Sequence, residues 1–534
     1  GAHSITATAT DAAGNTSPAT SALAFTVDTA APVAPTMAGT DDVGVITGTI
    51  AANAQTDDNK PTLSGTAEAN SVVKVYDGAT LIGTTTANGT GAWSFTPTTA
   101  LTDGAHSITA TATDAAGNTS PATSALAFTV DTTAPTAPTM AGTDDVGVIT
   151  GTIAANAQTD DNKPTLSGTA EANSVVKVYD GAVLLGTTTA NGTGAWSFTP
   201  ATALTEGAHS ITATATDAAG NTSPATSALA FTVDTAAPVA PTMAGTDDVG
   251  VITGTIAANA QTDDNKPTLS GTAEANSVVK VYDGATLIGT TTANGTGAWS
   301  FTPTTALTDG AHSITATSTD AAGNTSPATA ALPFTVDTLA PALGTLSITD
   351  TGASSTDGIT NNGTVTVGGL EPGATWQYST DGGVTWANGT GTSFTLAPNT
   401  YAAGAVQMRE TDKAGNVQTG TLIAKNEAAI TVDTTAPVVP ALVGTDDVGT
   451  IQGSIAASAQ TDDTRPTFSG TAEAGATVGV DTNGDGTPDV TAVADASGNY
   501  SVTLNPPVYS GASVGVRATD AAGNTSPVTS VAGT

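Results

Sequence analysis

The chain has 534 residues, of which 47 are acidic and 11 are Lys or Arg, so its formal charge is -36 although only 11% of residues are charged and 39% are hydrophobic. That balance argues against nucleic acid and anionic membranes as partners, because both would repel it, and it suits divalent cations. There is no cysteine, which rules out a disulfide framework; no run of 18 apolar residues spans a membrane, and no secretory leader pattern is present.

Taken in chain order, residues 1–31 begin in the middle of a repeat. GAHSITAT starts at Gly1, Gly104, Gly207 and Gly310, a constant period of 103. Residues 104–206 and 207–309 differ at Thr133/Ala236, Thr136/Val239, Val183/Thr286, Leu185/Ile288, Ala201/Thr304 and Glu206/Asp309 only. Such a period is too long for a solenoid unit of about 20–50 residues and fits a complete small domain with its own core. The start inside a repeat gives the expectation of a fragment, with export and anchoring signals outside this chain.

The phrase VDTxAP recurs at Val27, Val130, Val233, Val336 and Val432. Its proline fixes φ and keeps its predecessor extended, so each is read as a short, semi-rigid linker. These cuts predict the end of one domain at 1–31, near-identical domains at 32–134, 135–237 and 238–340, a divergent domain at 341–436 and a last domain at 437–534.

Within 135–237 strands are predicted at Thr165–Ala170, Val175–Tyr179, Leu184–Thr189, Ala195–Thr199, His209–Thr216 and Ala228–Val233, with an irregular one inside Thr139–Ile153. EANS, YDGA, ANGTG and DAAGN separate them. No window of ten or more residues shows a helical period. Seven or so short strands in about 100 residues predict an all-β chain of tandem immunoglobulin-like β-sandwiches, arranged as an extended rod. Alternation puts Ile211, Ala213 and Ala215 on one face of a strand, and places Leu229, Phe231 and Val233, with Trp196 and Phe198, toward a core. The histidines His3, His106, His209 and His312 are read as partly exposed strand residues with no metal role.

Almost all acids of a repeat fall in turns. In 135–237 the EANS and DAAGN turns, with Glu171 and Asp217, belong at the N-terminal pole of such a sandwich, and GTDDVG and QTDD, with Asp144, Asp145, Asp160 and Asp161, at the other. Stacking one domain on the next would bring Asp144, Asp145, Asp160, Asp161 and linker Asp234 toward Glu274 and Asp320. The equivalent sets are Asp41, Asp42, Asp57, Asp58 and Asp131 with Glu171 and Asp217; Asp247, Asp248, Asp263, Asp264 and Asp337 with Asp412; and Asp433 with Glu473 and Asp520. Bare carboxylates so close repel, and Ca²⁺, which takes six to eight oxygen ligands, is the ion expected to gather them. The alternative is that they are solvated turn residues, since Asp and Asn favour turns for backbone reasons.

The last domain contains Asp481, Asn483, Asp485, Gly486 and Asp489, spelling D-x-N-x-D-G-x-x-D, the first half of an EF-hand-type loop. Ala492 stands where the bidentate Glu would be, so a Ca²⁺ loop and an Asx-rich hairpin both stay open. In the divergent domain STDGGVTW at Ser379–Trp386 resembles the Asp-box hairpin of sialidases, a structural element. No nucleophile elbow or phosphate loop occurs, and each conspicuous acid recurs as a loop element, so no enzyme is expected.

TDDNKPTLSGTAEANSVVKVYDGATLIGTT, GAWSFTP, GAHSITATATDAAGNTSP and FTVDTTAP together resemble the bacterial Ig-like repeats of giant adhesins, the biofilm-associated (Bap-like) proteins and the large type I-secreted, RTX-type adhesins of Gram-negative bacteria. The likeness covers essentially the whole chain, though 341–436 shares only TDKAGN, VDTTAP and its hairpin. It implies an extracellular, cell-surface or biofilm-matrix location, type I export, Ca²⁺ at domain junctions, and neighbouring Ig-like domains of the same chain as partners; any host or abiotic surface would be met through regions outside it. The expected role is a stalk for cell adhesion and biofilm formation. Two other readings stay open: a carbohydrate- or host-binding module, best sought at Trp376, Tyr378, Trp386 and Tyr401, and a self-associating matrix or filament component.

Overall fold

The structure is a computed structural model that describes residues 1–505, 507 and 513–531. The last residues of the expected 437–534 domain lie outside the described residues. The chain divides into two compact units, one of Gly1–Val239 with Thr319–Ser326, the other of Ala240–Ser318 with Pro327–Thr534. Among the described residues the only helical element is the 3-10 turn Gly420–Leu422, so no helix is long and apolar enough to cross a membrane.

The repeat 135–237, in the first unit, shows how the sequence builds a sandwich. Its strands, numbered within the repeat, are β1 Ala141–Asp144, β2 Gly151–Thr152, β3 Gln158–Thr159, β4 Thr165–Thr169, β5 Val175–Asp180, β6 Val183–Thr189, β7 Ala195–Phe198, β8 Gly207–Thr216 and β9 Leu229–Val233. One sheet has the order β2-β1-β4-β7, the other β3-β9-β8-β5-β6. All pairs are antiparallel except β3 on β9, where Gln158 faces Thr232 and Thr159 faces Val233. The six strands expected from alternation and turn chemistry all form, with ends within two residues. The β3 strand, two residues long, was not foreseen; its QT carries no alternation to betray it.

The inward faces are those that alternation selects. Ile211, Ala213, Val176, Val178 and Leu166 are fully buried, and Trp196, Phe231 and Val233 nearly so, in one core cluster, and Ala215 is fully buried as well. Between β4 and the segment leading into β1 the backbone approach is so close that a Cβ on Gly168 would lie 2.0 Å from the Thr139 carbonyl oxygen. Glycine there is a steric requirement. Thr139 and Thr169 hydroxyls meet at 2.8 Å, and Thr165 and Thr199 at 3.0 Å, so threonine, favoured on a pleat, also supplies cross-strand bonds.

In the second unit the divergent segment 341–436 forms three small sheets around Trp376, Phe394, Tyr401, Met408 and Val432. Trp376 and Tyr401 are buried, and Tyr378 stacks on Phe394 with ring centroids 4.1 Å apart. Of the four aromatics proposed as a sugar platform, two are therefore core residues and a third, Tyr378, packs half-buried against that core. The fourth, Trp386, carries the Arg409 guanidinium 4.2 Å above its ring.

The histidines correct an expectation. His106, His209 and His312 are buried rather than partly exposed, because each ring turns onto an Asp at the end of a neighbouring strand, 2.7 Å away. Strand alternation sees only the face, and the paired acid, Asp77, Asp180 or Asp283, lies about thirty positions earlier.

Candidate cation-binding joints

The chemistry of the turns is set by short polar side chains that cap their own backbone. In the DAAGN turn of 135–237, Asp217 Oδ1 accepts the amides of Ala219 (2.9 Å), Gly220 (2.8 Å) and Asn221 (2.9 Å), and its Oδ2 accepts Asn221 Nδ2 (2.9 Å). The same Asn221 amide nitrogen donates to the Asp131 carbonyl at 2.7 Å. This links the second repeat's turn to the linker that precedes it. The tie recurs within the units: Asn118 on Asp28 at 3.1 Å, Asn324 on Asp234 at 2.8 Å, Asn416 on Asp337 at 2.7 Å and Asn524 on Asp433 at 2.7 Å.

A second backbone tie accompanies it. The Asp57 amide donates to the Ala219 carbonyl (3.2 Å), Asp160 to Ala322 (3.2 Å) and Asp263 to Ala414 (3.1 Å). The QTDD turn of one repeat thus lies against the DxAGN turn of the next, the pole-to-pole arrangement expected from the acid placement. Ahead of the last domain, Ala353 and Asn361 replace Asp as donors, to Ala521 and Ala522.

These contacts crowd carboxylates. Burial pushes the Asp57 pKa up, and the charges of Asp41, Asp217 and Asp58 push it further. Asp160 behaves alike, through burial and then Asp144, Asp320 and Asp161, as does Asp263, through burial and then Asp247, Asp412 and Asp264. Glu171 is raised by burial, by Asp217 and by linker Asp131. Asp58, Asp161 and Asp264 are raised chiefly by burial, against the N–H groups of Lys60, Lys163 and Lys266 that hold them ionised. None of these acids is ion-paired to a Lys or Arg side chain among the described residues.

The predicted set divides. Asp57, Asp58, Asp160, Asp161, Asp263, Asp264, Asp217, Asp320 and Asp412 sit at the joints, with Asp131 and Glu171 beside them. Asp41, Asp144 and Asp247 are buried, but one oxygen of each is held by a threonine hydroxyl, from Thr56, Thr159 and Thr262 at 2.5 Å, so they buttress the turn. Asp42 and Asp145 are exposed. Linker Asp131, Asp234, Asp337 and Asp433 offer their carbonyls to the Asn ties. Their side chains cap Thr133, Ala236, Leu339 and Thr435 amides. Asp520 caps its own turn.

Among the described residues no three Asp, Glu, His or Cys side chains stand close enough together to hold a metal ion as placed. The donor chemistry nevertheless fits a hard cation. Asp57 Oδ1, Asp160 Oδ1 and Asp263 Oδ1, and Asp161 Oδ2, Asp264 Oδ2 and Asp463 Oδ2, are buried without a hydrogen-bond partner. An unpaired buried carboxylate oxygen is costly, and an oxygen-seeking divalent ion would satisfy it. Gly147, at φ +66, leaves room for the Asp160 carboxylate, since a Cβ there would come within 1.9 Å of its Oδ2. The D-x-N-x-D-G-x-x-D loop is more self-contained. Asp481 accepts the amides of Asn483, Gly484 and Gly486, Asp485 accepts that of Thr487, and Asp489 accepts Thr482. An ion there would compete with main-chain donors.

Comparison with known proteins agrees with this architecture. A bacterial Ig-like domain model matches residues 32–132, 134–235 and 238–338, and a bacterial Ig domain model matches 456–534. Exoglucanase B of Cellulomonas fimi is 33% identical over 365 residues, 65% of this chain and 30% of that protein, so the chain spans about a third of the length of this curated relative. Among solved structures, a tetra-tandem repeat from the extending region of a large adhesion protein is 22% identical, covering 72% of this chain and 99% of that one with a TM-score of 0.25. The BSP domain of a biofilm-associated protein is 14% identical, covering 58% and 67%, with a TM-score of 0.15. Sequence period, sandwich topology and family match converge: the chain belongs to the bacterial Ig-like domain family, as a tandem array of its repeats.

Proposed function

We propose that this chain is an extender segment of a bacterial cell-surface adhesin, serving cell adhesion and biofilm formation by holding a binding region away from the cell, with Ca²⁺ stiffening the joints between its Ig-like domains. The observation that carries the reading is the repeated joint. The same Asn-to-linker tie recurs five times among the described residues, and buried unpaired Asp oxygens lie beside three of them. A flexible tether needs neither. In this reading Asp57, Asp58 and Asp217, with Asp131 and Glu171 nearby, would hold the ion at the first full joint. Asp160, Asp161 and Asp320 would do so at the next, and Asp263, Asp264 and Asp412 at the one after. Bound Ca²⁺ would supply the positive charge these acids lack. Chemistry on a substrate has no part in it, and the likeness to exoglucanase B is read as one between accessory modules. Export by a type I system and an RTX-type parent belong to the same proposal.

The absence of cysteine makes the test clean. Gly89 and Gly192 are exposed, with open space around a new Cβ, and both lie in the first unit. Spin labels on Gly89→Cys/Gly192→Cys are expected to give one narrow distance distribution in Ca²⁺ and a broader one in EDTA. A distribution as broad in Ca²⁺ as in EDTA would refute the stiffened joint. The binding-module alternative loses its main support with Trp376, Tyr378 and Tyr401 packed inward.

A further inference from the structure

Each full repeat holds one imidazole between two oxygen acceptors. In 32–134, His106 Nδ1 is 2.7 Å from Asp77 Oδ2, and Nε2 is 2.7 Å from the Thr102 carbonyl oxygen. His209 makes the same contacts with Asp180 and Thr205, and His312 with Asp283 and Thr308, all at 2.7 Å. A neutral imidazole has one N–H, whereas a carboxylate and a carbonyl only accept. Both contacts are made together only by the imidazolium.

The clamp reaches the linker through one residue. Next to Thr102 is Asp103, whose Oδ1 accepts the Thr132 amide at 3.2 Å and its hydroxyl at 2.9 Å. Glu206, next to Thr205, accepts the Thr235 amide at 3.1 Å. Asp309, next to Thr308, accepts the Thr338 amide at 3.1 Å and its hydroxyl at 2.9 Å. Thr132, Thr235 and Thr338 each directly follow the linker Asp. The divergent domain supplies an internal control. Tyr401 pairs with Ile430 as His106 pairs with Phe128, and its hydroxyl donates to the carbonyl four residues earlier, Ala397, at 2.9 Å. The same carbonyl position is held there by a neutral hydroxyl.

We propose that the clamps at His106, His209 and His312 are pH latches on the domain linkers. With the ring charged, the Thr carbonyl is fixed and the adjacent acid holds the linker; when the ring loses its proton, one side of the clamp is lost and the linker loosens. Among the described residues, the titratable group facing each ring is its Asp partner. The neighbouring strand presents Phe128, Phe231 or Phe334, with ring centroids 5.9 Å away, and the preceding loop presents the Thr carbonyl. Burial works against the charge of His106, but the Thr102 carbonyl and the Asp77 carboxylate outweigh it, so its pKa is raised. His209 and His312 are raised against burial in the same way. A raised folded-state pKa means that the stabilisation is complete below the unfolded value of about 6.5 and disappears as pH rises through the folded value. The latch therefore opens on the alkaline side.

The test uses the intact chain. Nitrogen-15 spectra of labelled histidine read protonation at both ring nitrogens, and hydrogen exchange, corrected for the intrinsic rate at each pH, reads the linkers. Three rings are expected to be doubly protonated at pH 6. As they titrate, protection at 131–134, 234–237 and 337–340 should fall by up to about tenfold per unit of pKa elevation, with 433–436 unaffected. His106→Gln/His209→Gln/His312→Gln should abolish the alkaline step; should that variant fold poorly, the unsubstituted chain still decides. Neutral single tautomers at pH 6, or linker protection that stays constant while the rings titrate, would overturn the proposal. So would an equal loss at 433–436.

Discussion

Replacing Trp196 with alanine is expected to destabilise the 135–237 sandwich by about 3–5 kcal/mol, the range for removing a buried aromatic from a packed core. Trp196 is 4% exposed and packs in the cluster with Ile153, Leu166, Val176 and Phe231. Its indole nitrogen has no hydrogen-bond partner, so the loss is one of packing alone, and Trp196→Phe should cost much less because it also removes an unsatisfied donor. At about 4–8 °C per kcal/mol for a domain of this size, calorimetry of Trp196→Ala should show one domain melting well below the others. The near-identical sandwiches of 32–134 and 238–340 serve as references within the chain. A single unshifted transition would contradict the placement of this residue at the centre of an autonomous core.

Asp217→Ala is expected to cost about 2–4 kcal/mol, because bonds to an ionised carboxylate are among the stronger ones and this one accepts four. Its reach is more telling than its size. The turn it holds also carries Ala219, which accepts the Asp57 amide, and Asn221, which donates to Asp131. Hydrogen exchange should therefore quicken at Asp57 and around residues 131–134, in the preceding sandwich and linker, although the substitution lies in the next one. Asp217→Asn, which keeps an acceptor oxygen, should spare most of the turn. Exchange changes confined to 215–223 would show that the joint does not depend on this turn.

Much of this was legible in the sequence because the physics was local. Period-two alternation named the buried faces of Ile211–Ala215 and Leu229–Val233, and turn chemistry bounded the strands between them. The acid joints could be anticipated because sandwich topology fixes which loops share a pole, and Asp57 does meet the turn of Asp217. Other features depend on partners that no local pattern reveals. The parallel pairing of Gln158–Thr159 is two residues long and has no alternation. His209 looked like a surface strand residue because its Asp180 partner is distant in sequence. The repeated pairing of VYD with GAH at a fixed offset was the available signal. Asp144 resembled a ligand but is occupied by Thr159, and Trp376, Tyr378, Trp386 and Tyr401 could not be divided into core and surface by composition alone.

Joint stiffening by Ca²⁺ is tested most directly by small-angle scattering from the intact chain at neutral pH, with Ca²⁺ and then with EDTA. The longest strand of a repeat, Gly207–Thr216, has ten residues, and at ~3.3 Å per residue, with its turns, it sets a length of roughly 35–45 Å per sandwich, hence on the order of 200 Å for five placed end to end. The account predicts a maximum dimension near that value in Ca²⁺. In EDTA, unscreened repulsion among Asp57, Asp58 and Asp217 and their counterparts should loosen the joints, giving a shorter mean extension and a broader distribution while each sandwich stays folded. The same maximum dimension and distribution in both conditions would contradict it.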